Sequence, residues 1–416
     1  MNPLTISTFR FIVILALSGV VTIPETMAQP MTETEAIHTA LQNNQLIKSA
    51  EFEVDYYKQM KKTGSELGKL NVVWMRGQYN TIEKDNNITL TQTIPFPGTI
   101  RATLKLGAEQ VRGADKNLQV AKNNQVFAVK STYEQLLYQL TVRELLLSQD
   151  SLYTDFARAS AIRYKTGESN LLEMTTAETQ LQEIKNSIRI NEADIYMSQM
   201  QLQVLLKTDA PVDVSAKLTK RILSLDSMHA LESNPQIQLA NQQVKINQQL
   251  KRVENSRLAP DFSIGYFNQT LIGYQNTTGS DIFYDKSNRF SGFTAGIQIP
   301  LWFAPQAARA KAASHLEEAS RETAEYIRHT LFSEYEQALR ELDKNQASLV
   351  YYESSALKNA DLILSQARKA YQGGEIGYVE YLQSLRNAIS IKSNYLQVLH
   401  QYNLSVIRVE FFIGKY

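Results

Sequence analysis

The sequence predicts a mainly α-helical chain that carries a small membrane β-sheet and is built from one unit written twice. Three observations predict this. Residues 98–210 and 306–416 contain no proline, four short runs alternate apolar and polar residues ahead of those stretches, and the two halves share residues at near-constant offsets. An interior proline costs a helix about 3 kcal/mol, so its absence over such lengths permits very long helices.

Composition narrows the functional classes. Of 416 residues, 43 are Lys or Arg and 42 are Asp or Glu, which leaves no basic surplus for a nucleic-acid backbone and no acidic tail. With no cysteine there is no disulfide, thiolate metal site, thiol nucleophile or lipid attachment point.

Arg10, an apolar run from Phe11 to Val21, and Thr26-Met27-Ala28 have the charged, apolar and small-residue order of a secretory signal, expected over residues 1–28. No later segment approaches the ~18 uninterrupted apolar residues of a transmembrane helix. Two repeats follow, expected over 29–212 and 213–416. Each runs helix, strand, loop, strand and helical hairpin, with strands at about 70–80 and 88–97, then 261–273 and 289–302, and hairpins over 98–208 and 304–414. In the strands Ile88, Leu90, Ile94 and Phe96 alternate with threonines and Pro95, and Phe293, Ala295, Ile297 and Ile299 alternate with Thr294, Gly296, Gln298 and Pro300. Residues 81–87 and 276–288 read as polar loops. Each hairpin turns at a glycine, in Tyr164-Lys165-Thr166-Gly167 and in Tyr371-Gln372-Gly373-Gly374.

The repeat is visible residue by residue. Ser131-Thr132-Tyr133-Glu134-Gln135 matches Ser333-Glu334-Tyr335-Glu336-Gln337, and Ile94-Pro95 matches Ile299-Pro300. Asn44, Ile47 and Lys61 match Asn234, Ile237 and Lys251 at one offset. A period near two hundred residues is a duplication rather than a solenoid.

Strands of this length and alternation suit an outer membrane, and Trp74, Tyr79, Phe96, Tyr266, Phe267, Tyr274, Phe293, Trp302 and Phe303 suit its interfacial girdles. A soluble pair of hairpins is the plainer alternative. Four strands cannot close a barrel, and lipid does not tolerate an open sheet edge. Three copies would supply twelve strands, an even number within the range of such barrels.

The duplicated order, the Ile-Pro strand ends and the two Tyr-x-x-Gly turns resemble the TolC-like outer membrane efflux proteins over essentially the whole chain after the signal. The resemblance implies a homotrimer with a twelve-stranded β-barrel in the outer-membrane lipid, continued by a twelve-helix periplasmic tunnel. It implies passive export as the outer conduit of a tripartite pump, with a periplasmic adaptor and an inner-membrane transporter as partners, and it leaves the cargo open. It also places the two turns at the inner tip of the tunnel, with Tyr164, Gly167, Glu173, Tyr371, Gly374, Glu380 and Gln383 as tip and gate residues. Glu173 and Glu380 match the family's acidic positions near the constriction, and three Glu380 carboxylates would form a negative ring. The plainer role for both is a favourable acid in the first turn of a helix. A second family aspartate is replaced by Thr176 and Gln383, and a latching arginine by Ile376. Tyr371 is expected to hydrogen-bond towards Glu173 or to pack between helices.

Five histidines, at 38, 229, 315, 329 and 400, never fall at metal-ligand spacing on one helix face, and no catalytic or phosphate-binding motif appears. No cofactor, nucleic-acid partner or enzymatic activity is expected. Two other classes use long helices: a trimeric coiled-coil surface protein and a soluble periplasmic adaptor. Neither requires paired strands at matching places in two repeats.

Overall fold

A computed structural model describes residues 30–214, 216–223, 230–276 and 279–414. The signal expected over residues 1–28 lies outside the described residues. The first repeat contains α1 (Glu33–Asn43), α2 (Gln45–Lys62), β1 (Asn71–Gly77), β2 (Asp85–Ile94), α3 (Pro97–Lys165) and α4 (Leu171–Leu206). The second contains α5 (Pro235–Ser256), β3 (Asp261–Gln269), β4 (Gly273–Asn276), β5 (Asp281–Tyr284), β6 (Phe290–Gln298), α6 (Phe303–Tyr351), a π-helical turn (Tyr352–Ala356), α7 (Leu357–Gln372) and α8 (Tyr378–Phe412).

Matching residues start the matching helices. The Asn44 carboxamide oxygen accepts from the Leu46 and Ile47 N–H groups to cap α2, and that of Asn234 accepts from Gln236 N–H to cap α5. Pro97 opens α3, where its missing N–H costs nothing, and α3 then runs unbroken for 69 residues, about 100 Å at 1.5 Å per residue. It is the spine of the molecule. α2 and α5 flank its half nearer the strands, while α4 and α8 flank its far half; α6 packs on α5 and α8.

The sheet has the order β1-β2-β3-β6, antiparallel throughout. Its register puts Val72 and Trp74, Ile88, Leu90 and Ile94, Phe262, Ile264 and Tyr266, and Phe293, Ala295 and Ile297 on one face. The other face carries Thr89, Thr91 and Thr93, Ser263 and Gly265, and Gly292, Thr294 and Gly296. Phe267, expected in an aromatic girdle, lies on this second face against Gly292, where an added Cβ would meet its ring at 2.7 Å. The apolar face is uncovered: Phe293 is 88% and Trp74 63% exposed. Among the described residues no helix is long and apolar enough to cross a membrane.

Two local expectations change. The stretch 276–288, expected as a polar loop, contributes to a separate β4–β5 hairpin, because Tyr274 and Phe283 pack edge-on across it at 5.2 Å. The strand expected to reach 273 stops at Gln269, since Thr270 Oγ1 and the Ile272 N–H donate instead to the fully buried Asp85 carboxylate, at 3.0 and 2.8 Å.

Helix packing buries two main cores. Val129, Tyr133, Leu136, Leu202 and Leu206 close on Ala36 and Ala40, and Ile237, Leu331, Leu342, Leu349, Val406 and Phe412 form the counterpart. Between them Glu134, 2% exposed, accepts from Asn403 Nδ2 at 2.7 Å and from Arg221 Nε at 3.2 Å, and Arg221 also bonds Glu33. Burial pushes the Glu134 carboxyl up, while the Asn403 and Arg221 hydrogen bonds hold it down. This network ties the segment between the repeats to α1, α3 and α8.

Two glycines of α3 separate helix propensity from packing. A Cβ on Gly107 would lie 2.9 Å from the Lys61 Cα on α2, whereas on Gly113 it would meet only the Cδ1 tip of Ile246, at 2.7 Å. Alanine gains about 1 kcal/mol of propensity in either helix position, but overpacking against backbone costs about 1–3 kcal/mol. Gly107→Ala should therefore lower the apparent melting temperature in detergent, and Gly113→Ala should leave it level or raise it.

His400 gives a pH signature. It is 7% exposed, stacked on Tyr138 at 4.4 Å, and its Nδ1 lacks a hydrogen-bond partner; burial holds its pKa down at about 4. An unfolded chain takes that proton near 6.5, so stability is full above that pH and falls as pH drops towards 4, by up to about 3 kcal/mol. Melting temperatures at pH 7.5 and 4.5 should differ less in His400→Phe than in the parent.

Candidate functional site

The site is built where the two hairpins turn. At the end of α3, Gly167 takes φ +80°, with Glu168 N–H donating to the Arg163 carbonyl at 2.8 Å and Gly167 N–H to the Tyr164 carbonyl at 3.1 Å. At the end of α7, Gly374 takes φ +76°, with Glu375 N–H on the Ala370 carbonyl at 2.8 Å and Gly374 N–H on the Tyr371 carbonyl at 3.2 Å. Both are the same left-handed helix stop, which favours glycine.

The next helices start differently. Asn170 Oδ1 accepts from Glu173 N–H at 2.9 Å and caps α4. Gly377 has no side chain to offer α8, so the Glu380 carboxylate turns back to accept from Gly377 N–H at 3.2 Å. Both glutamates therefore sit in first turns, where the helix dipole favours acids.

Behind the turns, side chains from both hairpins meet. Phe156 of α3 is 5% exposed and stacks on Tyr378 of α8 with ring centres 5.1 Å apart and planes 9° from parallel. Tyr381 lies 5.6 Å and Tyr371 6.3 Å from the same ring, and Tyr371 stacks on Tyr381 at 4.6 Å. Leu382 and Leu385 of α8 and Ala177 of α4 are buried in the same cluster. Two guanidinium groups border it: Arg163 Nη1 donates to Glu173 Oε1 at 3.1 Å within the first hairpin and to the Tyr371 hydroxyl at 2.9 Å on the second, and Arg386 of α8 hydrogen-bonds Tyr153 of α3. The Tyr378 hydroxyl is buried with no hydrogen-bond partner, and burial together with the nearby Glu173 charge pushes it up to about 12.

The expected residues are thus only partly gathered. Glu173 and Tyr371 come together, but through Arg163 rather than directly. Tyr164 is 39% exposed and outside the cluster, Gly167 and Gly374 shape exposed turns, and Gln383 is exposed beside Asn387. Glu380 is exposed and has no basic partner among the described residues. Ile376 stands half-buried where a latching arginine was sought. Phe156, Arg163, Tyr378 and Tyr381 were not singled out from sequence. The available signal was the aromatic spacing of Tyr371, Tyr378 and Tyr381 across a glycine turn. No cluster of three or more His, Asp or Glu side chains suited to a metal occurs among the described residues.

Residues 227–415 match a family described as outer membrane efflux protein. No curated protein sequence matches the chain significantly. Among solved structures, CusC, whose report describes conformational changes accompanying folding and transmembrane channel formation, is similar with a TM-score of 0.75 at 16% identity, over 94% of this chain and 96% of that one. The outer-membrane channel OprN is similar with a TM-score of 0.75 at 15% identity, over 92% and 90%. The Campylobacter jejuni CmeC outer membrane channel gives 0.73 at 14% identity, over 100% and 94%. At these identities the likeness establishes the fold.

The Arg163 bridge predicts a measurable coupling between hairpins. Arg163 is 37% exposed, so screening keeps its contribution small. A double-mutant cycle of Arg163→Gln with Tyr371→Phe should give a coupling of about 0.5 kcal/mol in thermal unfolding, smaller at high salt.

Proposed function

On the premise that residues 227–415 belong to the outer membrane efflux proteins and that the fold of their channels extends through the first repeat, we propose that three copies form a passive export conduit through the outer membrane. The observation that carries this is the sheet. It has a bare apolar face, an opposite face mostly of Thr, Ser, Asn and Gly that also carries Val73, Met75 and Phe267, and two unpaired edges, β1 and β6. Unpaired backbone groups in lipid cost several kcal/mol each, so β6 of one copy must pair with β1 of the next, and twelve strands close with the mostly polar face lining the lumen.

The helices support the same closure. α2 leads into β1 and β6 leads into α6, so the open strand edges and the edge helices fall on the same two sides of the protomer. On α2, Phe52 and Tyr56 point away from α3, 74% and 56% exposed, as a side that meets a neighbouring copy requires. The helices then continue the lumen into the periplasm as a tunnel whose inner tip is formed by the Gly167 and Gly374 turns, where an adaptor and an inner-membrane transporter would engage. The chain itself performs no chemistry, and the transporter selects the cargo.

At the tip, Glu380 is the better candidate for a charged ring. Arg163 already balances Glu173, while Glu380 has only a backbone N–H as partner. Purified in detergent, the protein should be a trimer by native mass spectrometry and should conduct ions in a planar bilayer. A folded, detergent-free monomer would overturn the proposal. Glu380→Gln should lower the cation-over-anion permeability ratio about twofold or more, and Glu173→Gln should change it less.

A further inference from the structure

We infer that the protein carries a basic collar around the outside of its helices, next to the sheet, and that this collar binds the headgroups of anionic phospholipids in the periplasmic leaflet. The placing of the charges rests on geometry within one protomer; the lipid as partner rests on the conduit proposed above.

Charge is distributed unevenly about the sheet. In the four passages between helices and strands, residues 58–70, 95–108, 251–261 and 299–312, eleven side chains are Lys or Arg and three are Asp or Glu. At the opposite end of the sheet, residues 76–87 and 268–289 carry four of each. The three acids do not neutralise the excess: Glu254 pairs with Arg257 at 2.8 Å, Asp261 accepts from the Phe96 N–H, and Glu66 lies in a cleft beside Asp261.

The helical period separates the two sides of the helices. Asp261, on the polar face of β3, shares its cleft with Thr99 and Thr103 of α3. Gln110 lies two turns beyond Thr103 on the same stripe. Gln110 shares a second cleft with Glu53 of α2 and Gln243 of α5, and Gln243 shares a third with Ser320 of α6. This side of all four helices is continuous with the polar face of the sheet, which lines the lumen of the conduit. Lys62, Arg101, Arg252 and Lys311 lie nine residues from Glu53, Gln110, Gln243 and Ser320 respectively. Nine residues make two and a half turns, so all four bases stand on the opposite, outer side. All four are exposed, and none has a carboxylate partner among the described residues; Lys62 bonds only Gln59.

The outer side of the sheet is the bare apolar one. Trp302 and Phe303, 83% and 52% exposed, stand between it and Lys311, and the exposed Leu67 and Leu70 stand between it and Lys62. Apolar strand, then interfacial aromatic or leucine, then unpaired base is the order of a chain passing from hydrocarbon to phosphate. The dimensions agree. Arg101 is the fifth residue of α3, about 6 Å from its start, and headgroups occupy about 5–8 Å of each leaflet. In α3 and α6 the Cα–Cβ bonds also tilt towards the helix N-terminus, which here is the membrane end. Arg309 is the internal control: eleven residues before Ser320, or three turns, it stands on the lumenal side.

Native mass spectrometry of the detergent-purified protein, mixed with equal amounts of phosphatidylglycerol and phosphatidylcholine, counts the lipids retained, and bilayer recording reports ion selectivity. The parent should retain phosphatidylglycerol about threefold or more over phosphatidylcholine. Combined Lys62→Gln, Arg101→Gln, Arg252→Gln and Lys311→Gln should erase that preference, and Arg101→Gln alone should lower it in part, so the test does not depend on the fourfold variant folding. Arg101→Lys should keep it, since charge rather than shape is recognised. Arg309→Gln should leave lipid retention unchanged and lower anion permeability. The collar is overturned if the parent retains both lipids equally, if Arg101→Gln has no effect, or if Arg309→Gln removes as much phosphatidylglycerol as Arg101→Gln does. A change of ion selectivity without loss of lipid in Arg101→Gln would overturn it too, by placing that charge in the lumen. Lipid retention that responds as expected in a protein that conducts no ions would support the collar and overturn the conduit.

Discussion

A backbone N–H or carbonyl has no partner in hydrocarbon unless the protein supplies one, and the proposed conduit rests on this constraint. The sheet of one protomer satisfies its interior ladders but leaves β1 and β6 each with one unpaired side. A solvated edge would pose only an aggregation hazard; in lipid it is prohibitive. In the proposed conduit, closure by identical copies then fixes the rest. It requires a heterologous contact that repeats around an axis, hence two different edges on one protomer, and the strand order supplies them. The proposed barrel also accounts for the bare apolar face, since Phe293 and Trp74 would have lipid to contact.

The helical part follows from the sheet by continuity. Each strand pair is entered and left by helices, and Phe96 N–H, donating to Asp261 Oδ1 at 2.9 Å, holds the exit of β2 against the start of β3. Helices of such length cannot bury an apolar stripe in a globular core, so they bury it against one another along their length, α3 serving as the shared surface. Small residues set the close approaches, as at Gly107 beside Lys61. Midway along, the buried Glu134–Asn403–Arg221 network joins elements of both repeats. A buried charge such as that of Glu134 is strongly unfavourable if a partner is lost, which ties the segment between the repeats to one position.

Much of this was legible in the sequence because it depends on local rules. Missing prolines mark long helices, Asn44 and Asn234 mark caps, alternation marks strands, and Gly167 and Gly374 mark turns that need positive φ. What sequence could not supply depends on three-dimensional juxtaposition. Arg163 and Tyr371 are two hundred residues apart, and nothing local announces their hydrogen bond. The register that puts Phe267 opposite Gly292, and so off the girdle face, is likewise a property of paired strands. The π turn lies in a stretch whose composition suits an ordinary helix; what distinguishes it is the extra length of one repeat over the other.

That difference between the repeats gives the duplication its functional content. Two identical hairpins would meet through identical groups. Here the first hairpin contributes Phe156 and Arg163 on a continuous helix, while the second contributes three tyrosines around a turn and an arm interrupted by a π turn. Polar contacts run both ways, from Arg163 to the Tyr371 hydroxyl and from Arg386 to the Tyr153 hydroxyl, and buried hydroxyls without a partner occur on both hairpins, at Ser160, Ser169 and Tyr378. Duplication supplied matching lengths and matching turns, which let two hairpins end at the same level. Divergence at a few side chains then made the two hairpins meet through different groups, without altering the strand and helix edges on which the proposed closure depends.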